Sequence, residues 1–217
     1  MKLLITGSTG MAGSEVIRQA IADDSITTIY ALARKPLEIV HQKLHTIVHT
    51  DFLNYNGLEK YFIDCDACIW CLGISQLQAT KEQLEITTVD YTVAGAKAML
   101  AANPNIHFVF LSGNGADRKE KSKIPFARLK GKAENELLKL NIKHLAIARP
   151  DAIWPKHKHT TAPFAYKLAF PFYPFVELLA PSKIIKSDVL AKALIYLAKH
   201  KLDKDTFENM ELRKMVG

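Results

Sequence analysis

The sequence predicts an α/β protein built on a doubly wound, mostly parallel sheet with helices on both faces. Three observations predict it. Short apolar runs alternate with longer segments of helical period from residue 2 to about residue 199, the signature of repeated strand–helix–strand units. A bare-glycine turn, Gly7-x-x-Gly10-x-x-Gly13, stands at the first junction between a strand-like run and a helix-like one. The length of 217 residues fits a single core, since chains split into separate cores only beyond about 250 residues. The expectation is one domain over residues 1–217, with 151–186 as an insertion forming a substrate cleft.

In order, Lys2 to Thr6 reads as the first strand and Met11 to Ala22 as a helix, with Val16, Ile17, Ala20 and Ile21 on one face and Asp23-Asp24 ending it. Thr28 to Ala33, Leu44 to His49 and Ala67 to Leu72 read as strands, with a short helix at 58–62. A long helix is predicted from Leu84 to Ala102, stopped by Asn103-Pro104, because proline excludes helical geometry from the residue before it. His107 to Leu111 is the fifth strand, Phe126 to Leu140 a helix, and Lys143 to Ala148 the sixth strand. The aromatic and proline-rich stretch from Trp154 to Pro181 reads as irregular structure with one short helix. A final helix is expected over Val189 to Lys199, N-capped by Ser187 or Asp188.

Composition narrows the function classes. Apolar residues at 48% and charged residues at 24% are ordinary for a globular chain and argue against disorder. The first residues run directly into the glycine turn without the apolar region of a secretory signal, so a cytoplasmic location is expected. The longest apolar stretch, 164–181, is broken by Lys167, Pro171, Pro174 and Glu177, which argues against a spanning helix. Cys65, Cys68 and Cys71 are the whole cysteine complement, one short of a four-cysteine metal site, and they lie in an apolar run where cysteine packs as a small hydrophobe; no metal is expected. The net charge of +7 suits an anionic ligand. Nucleic acid is disfavoured, because the one basic cluster, Arg118 to Lys132, lacks interleaved aromatics.

The glycine turn carries the strongest chemistry. In Gly7-Ser8-Thr9-Gly10-Met11-Ala12-Gly13 one glycine permits the turn, another clears space for a diphosphate, and the third lets helix and strand pack closely. The unpaired amides near Met11 and Ala12 would then face the negative charge. That is the Rossmann arrangement for a dinucleotide. Its usual acid at the tip of the second strand, which holds ribose hydroxyls, is replaced by Arg34-Lys35. A guanidinium pairs with a 2′-phosphate that a carboxylate would repel, so NADP(H) is the expected cofactor. Asp51-Phe52, past the third strand, would sit beside the adenine, and Cys71-Leu72-Gly73 would line the cleft at the end of the fourth.

Together with Val89-Asp90-Tyr91, Leu111-Ser112-Gly113-Asn114-Gly115-Ala116-Asp117, Lys130-Gly131-Lys132-Ala133-Glu134 and Arg149-Pro150, these residues resemble the extended and atypical short-chain dehydrogenase/reductases. The similarity is greatest to the NmrA-like and Tat-interactive oxidoreductase-like branches. The resemblance spans about residues 2–200 and implies the doubly wound sheet, NADP(H), a cofactor contact at Pro150, and a cleft roofed by the C-terminal third. It also implies a serine at the end of the fifth strand and a Tyr-x-x-x-Lys pair. In that set the ammonium lowers the phenol's pKa, the phenol moves the proton, and the serine orients the carbonyl. Ser112 and Lys130 match and are the candidate catalytic residues, Lys130 also holding the nicotinamide ribose. The tyrosine position holds Phe126, which cannot transfer a proton. Ser112, Tyr91, Tyr166 or a water are the substitutes the sequence offers. Two functions remain: an oxidoreductase acting on a small carbonyl-type substrate, and a non-catalytic NADP(H)-sensing protein of NmrA type.

Other signals carry less. Lys156-His157-Lys158-His159 has flanking cations that repel a metal, and His41, His45 and His49 would share a face only on a helix that their strand-like surroundings do not support. The aromatics of 164–175 suit core or a subunit contact better than a substrate box, which leaves a homodimer open. No Gly-x-Ser-x-Gly elbow is present, arguing against a serine hydrolase.

Overall fold

The computed structural model describes residues 1–74, 79–156 and 181–216. Seven strands make the central sheet: β1 (Lys2–Thr6), β2 (Thr28–Ala33), β3 (Leu44–Val48), β4 (Ala67–Trp70), β5 (His107–Leu111), β6 (His144–Arg149) and β9 (Thr206–Glu208). Their order is β3-β2-β1-β4-β5-β6-β9, every pair parallel. The order reverses between β1 and β4, and in such sheets the crevice for a ligand opens at the carboxyl ends on either side of that reversal.

Strand period two splits the apolar residues between two cores. Leu3 and Ile5 of β1 face a core shared with Val16, Ile17 and Ala20 of α1 (Met11–Ala22) and with Leu190, Leu194 and Leu197 of α6 (Ser187–Lys199). Leu4 faces the other core, built with Phe62 of α2 (Glu59–Asp64), Ala96 and Met99 of α4 (Tyr91–Ala102), and Leu129 and Leu137 of α5 (Pro125–Lys139). The doubly wound architecture predicted from the sequence is therefore present.

Several elements differ from expectation. The long helix starts earlier, as α3 (Lys81–Glu85), and enters α4 through a π-helical turn, Ile86–Asp90. Thr80 caps its start by a reciprocal capping box with Gln83. The expected N-cap at Ser187 or Asp188 is corrected: both lie inside α6, and Lys186 occupies the cap position with extended backbone and no side-chain cap bond. Ser187 Oγ instead accepts the Lys156 amide at 3.0 Å, and Asp188 pairs with the Lys156 ammonium at 2.6 Å. That exchange ties α6 to the end of β7 (Ala152–Trp154), which pairs in parallel with β8 (Ile184–Lys186) as a separate two-stranded ribbon.

The sequence reading also missed β9 and the helix α7 (Asn209–Lys214) that follows it. Tyr166, the aromatics of 164–175 and most of residues 151–186, expected as an insertion, lie outside the described residues, as do His157, Lys158 and His159. Among the described residues no helix is long and apolar enough to cross a membrane, and no group of three His, Cys, Asp or Glu side chains could hold a metal ion.

Candidate functional site

The glycine turn is built by close backbone approach. Gly7 has φ of +66°, a Cβ on it would lie 2.4 Å from the Cys71 carbonyl oxygen, and a Cβ on Gly13 would lie 2.2 Å from that of Gly7. Neither position admits a side chain without moving backbone. The first intrahelical bond of α1 runs from the Ser14 amide to the Gly10 carbonyl at 2.9 Å. The amides of Met11, Ala12 and Gly13 precede it and find no backbone acceptor among the described residues.

No side chain caps α1 and no acid sits in its first turn, so the positive end of the helix is not neutralised from within. Beside it Ser8 is buried and its Oγ has no hydrogen-bond partner among the described residues. A hydroxyl buried unpaired costs about 1–3 kcal/mol. One orphaned hydroxyl and three orphaned amides at a helix start fit an anion rich in oxygens, such as a diphosphate.

The rim follows the carboxyl ends of the strands. Arg34 and Lys35 stand exposed just past β2, and no carboxylate pairs with either among the described residues. Asp51 is also exposed, its Oδ1 accepting the Leu53 amide at 3.0 Å to shape the turn. The Phe52 ring, expected beside an adenine, is 2% exposed and packs in the core against His49, Tyr55 and Tyr91.

Past β4 the Leu72 amide donates to Thr6 Oγ1 at 3.2 Å, and a Cβ on Gly73 would meet open space. Burial pushes the Cys71 thiol up to about 12 against the opposing pull of Lys130, so it is not a thiolate at neutral pH. Pro150 is buried after β6, its carbonyl accepting the Asn114 amide at 2.8 Å.

Lys130 and Ser112 come together beneath this rim but point to different partners. Lys130 is 7% exposed, donates from Nζ to the Leu111 carbonyl at 2.7 Å, and lies 4.6 Å from the centroid of the Phe110 ring and 6.0 Å from that of Phe126. Burial pushes its ammonium down to about 8, with Cys71 and Glu134 opposing. Ser112 Oγ donates at 2.5 Å to Glu134 Oε1, a fully buried carboxylate. Glu134 also accepts from Arg118 Nε at 2.7 Å and from Arg149 Nε and Nη2 at 2.9 and 2.5 Å. The hydroxyl proton of Ser112 is thus committed to a carboxylate.

The position that faces 126 is its neighbour, since a Cβ on Gly113 would lie 2.8 Å from Phe126 Cζ. Two positions that converge, 113 and 126, carry no hydroxyl. The sequence reading missed both the Glu134 anchor and the role of position 113. A glutamate beside the apolar stripe Leu129-Ala133-Leu137 was the available sign of a buried carboxylate.

The buried ammonium makes a pH-dependent contribution to stability. The folded state holds Lys130 near pKa 8 against an ordinary 10.5. Between those values the unfolded chain binds the extra proton, so stability rises with pH there, and below about pH 8 the full burial cost is carried. Lys130→Met is expected to be about 2 kcal/mol more stable than the parent at pH 7, allowing ~1 kcal/mol for the orphaned Leu111 carbonyl. The gain should disappear above about pH 10.5. Denaturant titrations at pH 7, 9 and 10.5 without cofactor check this; a difference independent of pH contradicts the lowered pKa.

A sheet order reversing between β1 and β4, with a glycine turn whose unpaired amides fit a diphosphate at the carboxyl end of β1, is the arrangement of a dinucleotide-binding protein of the Rossmann type. The chain belongs to the NAD(P)H-binding family, whose model matches residues 7–148. Among curated proteins it is 28% identical over 145 residues to the leucinostatins biosynthesis cluster protein T of Purpureocillium lilacinum, covering 65% of this chain and 52% of that protein. It therefore spans about half the length of that relative. It is 26% identical over 222 residues to the mitochondrial protein FMP52 of Kluyveromyces lactis, covering 98% of this chain and 94% of that one.

Among solved structures it is similar in fold to MoeE5 in complex with UDP-glucose and NAD, with TM-score 0.70 at 14% identity over 96% of this chain and 75% of that chain. It is likewise similar to the UDP-glucuronic acid 4-epimerase of Bacillus cereus in complex with NAD, with TM-score 0.71 at 13% identity over 96% and 78%. Those likenesses bear on the fold.

Proposed function

We propose that the chain binds NADP(H) along the carboxyl ends of β1, β2 and β4 and works as an oxidoreductase on a small carbonyl-type substrate. The observation that carries this reading is the start of α1, where three amides and the Ser8 hydroxyl are left without partners beside glycines that admit no side chain. Gly7, Ser8, Thr9, Gly10, Met11, Ala12 and Gly13 hold the diphosphate, Asp51 and the Phe52 backbone flank the adenine, and Cys71, Leu72, Gly73 and Pro150 line the ribose side. The chain is read as a single domain over residues 1–217.

When bound, the nicotinamide supplies or accepts the hydride. Lys130 keeps two N–H donors beyond the one given to Leu111. They suit a ribose hydroxyl, and an ammonium near pKa 8 can give up a proton close to neutral pH. Ser112 positions this helix through Glu134 rather than a substrate carbonyl. The expected compartment is the cytosol. The mitochondrial names of the relatives make cell fractionation the deciding measurement.

Arg34 selects the phosphorylated cofactor, because its exposed guanidinium can pair bidentately with a 2′-phosphate. Fluorescence titration should show NADPH binding at least ~10-fold tighter than NADH, and Arg34→Ala should reduce that ratio about 10-fold, one charge-assisted contact being worth about 1.5–3 kcal/mol. Equal affinities in the parent protein would refute NADP(H) selectivity.

A second reading, the NADP(H)-sensing protein of NmrA type, is favoured by the pair Gly113 and Phe126, which leaves no hydroxyl where the ring meets position 113. Phe126→Tyr separates the two, with Gly113 kept because a Cβ there would lie 2.8 Å from the ring. If the parent already oxidises NADPH with a carbonyl panel, the oxidoreductase reading stands. If only Phe126→Tyr does, by a factor of about 100 or more as expected for a restored general acid, the parent is the binding protein.

A further inference from the structure

The amino-terminal end of the sheet, opposite the cofactor cleft, holds a second feature that dinucleotide binding does not use. A cavity of about 460 Å³ opens there between the starts of β5 and β6, the end of α5, the end of α6 and the segment at 200–205. His107 and His144, the first residues of β5 and β6, are paired in register, and their ring centroids lie 4.5 Å apart. Lys143 and Lys201 join them in the wall, and no carboxylate pairs with either among the described residues. Leu138, Ile142 and Leu197 supply an apolar side.

The electrostatics are lopsided. Burial first, then Lys201, holds the His107 imidazole below its ordinary range, opposed by the Ala198 carbonyl that its ring bonds and by Asp66. Burial, then His107, Lys201 and Lys143, does the same to His144, with no acid opposing. The remaining charged groups are mostly engaged elsewhere. Asp205 accepts the Thr206 hydroxyl at 2.5 Å, Lys204 pairs with Glu211, and His200 stacks on Tyr196. Asp203 stands exposed on the wall.

Two ammonium groups beside a pair of imidazoles, whose protonation they oppose, make a positively biased wall that an anion would suit and a cation would not. A transition metal is further disfavoured because, among the described residues, no third ligating side chain is grouped with the imidazoles. The volume exceeds what a bare ion needs and falls within the roughly 300–1,000 Å³ of small-molecule sites.

We propose that this cavity binds a small organic phosphate, with the phosphoryl group between His107, His144, Lys143 and Lys201 and the hydrocarbon part on Leu138, Ile142 and Leu197. Protonation of the imidazoles, which burial and the neighbouring ammonium groups hold below the ordinary histidine range, would add two charge-assisted donors to the anion.

The test uses the full chain saturated with NADPH, so that the cofactor cleft is filled, and follows the histidine Cε1–H signals by NMR during titration with phenyl phosphate. Inorganic phosphate and sodium chloride at matched ionic strength are the comparison arms. The expected result, at pH 7, is a saturable shift of the His107 and His144 signals with phenyl phosphate, weakened about 10-fold by Lys201→Ala, one charge-assisted contact. Lys201 is exposed, so that variant should fold, and it should leave NADPH affinity unchanged. Shifts no larger than with sodium chloride overturn the proposal. So does inorganic phosphate binding as tightly as phenyl phosphate, which removes the hydrocarbon part, or release of NADPH by phenyl phosphate, which places it in the cofactor cleft.

Discussion

Glu134→Ala should destabilise the protein by about 3–5 kcal/mol, the cost of removing one partner from a buried ionic cluster. At about 2–4 °C per kcal/mol for a chain of this size, the midpoint of thermal unfolding should fall by roughly 6–20 °C. The reason lies in what remains. Glu134 is fully buried and receives Ser112, Arg118 and Arg149 at once. Without it two guanidinium groups face one another and Ser112 loses its acceptor. Arg149 also reaches Glu208 at 3.1 Å and Arg118 reaches Thr206 at 2.8 Å, so the loss extends to β9, which joins the sheet beside β6. Hydrogen exchange should therefore show β9 and α7 opening first in the variant. Glu134→Gln keeps the shape and loses the charge, and should fall between the two. A midpoint within about 2 °C of the parent for Glu134→Ala, by calorimetry, would show that the carboxylate does not hold these elements together.

That cluster also shows where sequence reasoning reached its limit. The strand–helix alternation and the glycine turn were legible because their causes are local: a period of two or 3.6 along the chain, and glycines at positions where a Cβ would meet backbone at 2.2–2.4 Å. The central strands read as continuous apolar runs because helices bury both of their faces. β9 was not legible, since Thr206-Phe207-Glu208 is three residues with one apolar side chain, and it becomes a strand through tertiary contacts with β6. The π-helical turn at Ile86–Asp90 has no marker in side-chain period. Spacing placed Ser112 at the end of β5 but could not say which way its hydroxyl turns, and a carboxylate 22 residues further on decides that. Phe52 follows the same logic: its position after β3 suggested an adenine neighbour, while His49, Tyr55 and Tyr91 draw the ring inward.

Gly10→Asp should give a protein at least as stable as the parent that no longer binds the cofactor. Gly10 is the N-cap of α1, with φ of −80° and ψ of 168°, a conformation any residue adopts. A Cβ there meets only the Gly7 carbonyl oxygen, at 3.2 Å, a contact that a shift of a few tenths of an ångström relieves. Aspartate is among the preferred caps and can accept an amide of the first turn, and its charge suits the helix end by about 0.3–1 kcal/mol. The same carboxylate would occupy the amides of Ala12 and Gly13 and repel a diphosphate from the cradle, so NADPH affinity should fall at least ~100-fold, about 2.7 kcal/mol or more. The opposed signs separate this effect from general damage, which would lower stability and binding together. Gly13→Ala supplies the contrast, since its Cβ would sit 2.2 Å from the Gly7 carbonyl oxygen and both properties should be lost. Calorimetric titration with NADPH, run beside thermal melts of each variant, reads the two axes independently. Undiminished NADPH binding by a folded Gly10→Asp protein would place the diphosphate away from the start of α1 and remove the basis for the cofactor site.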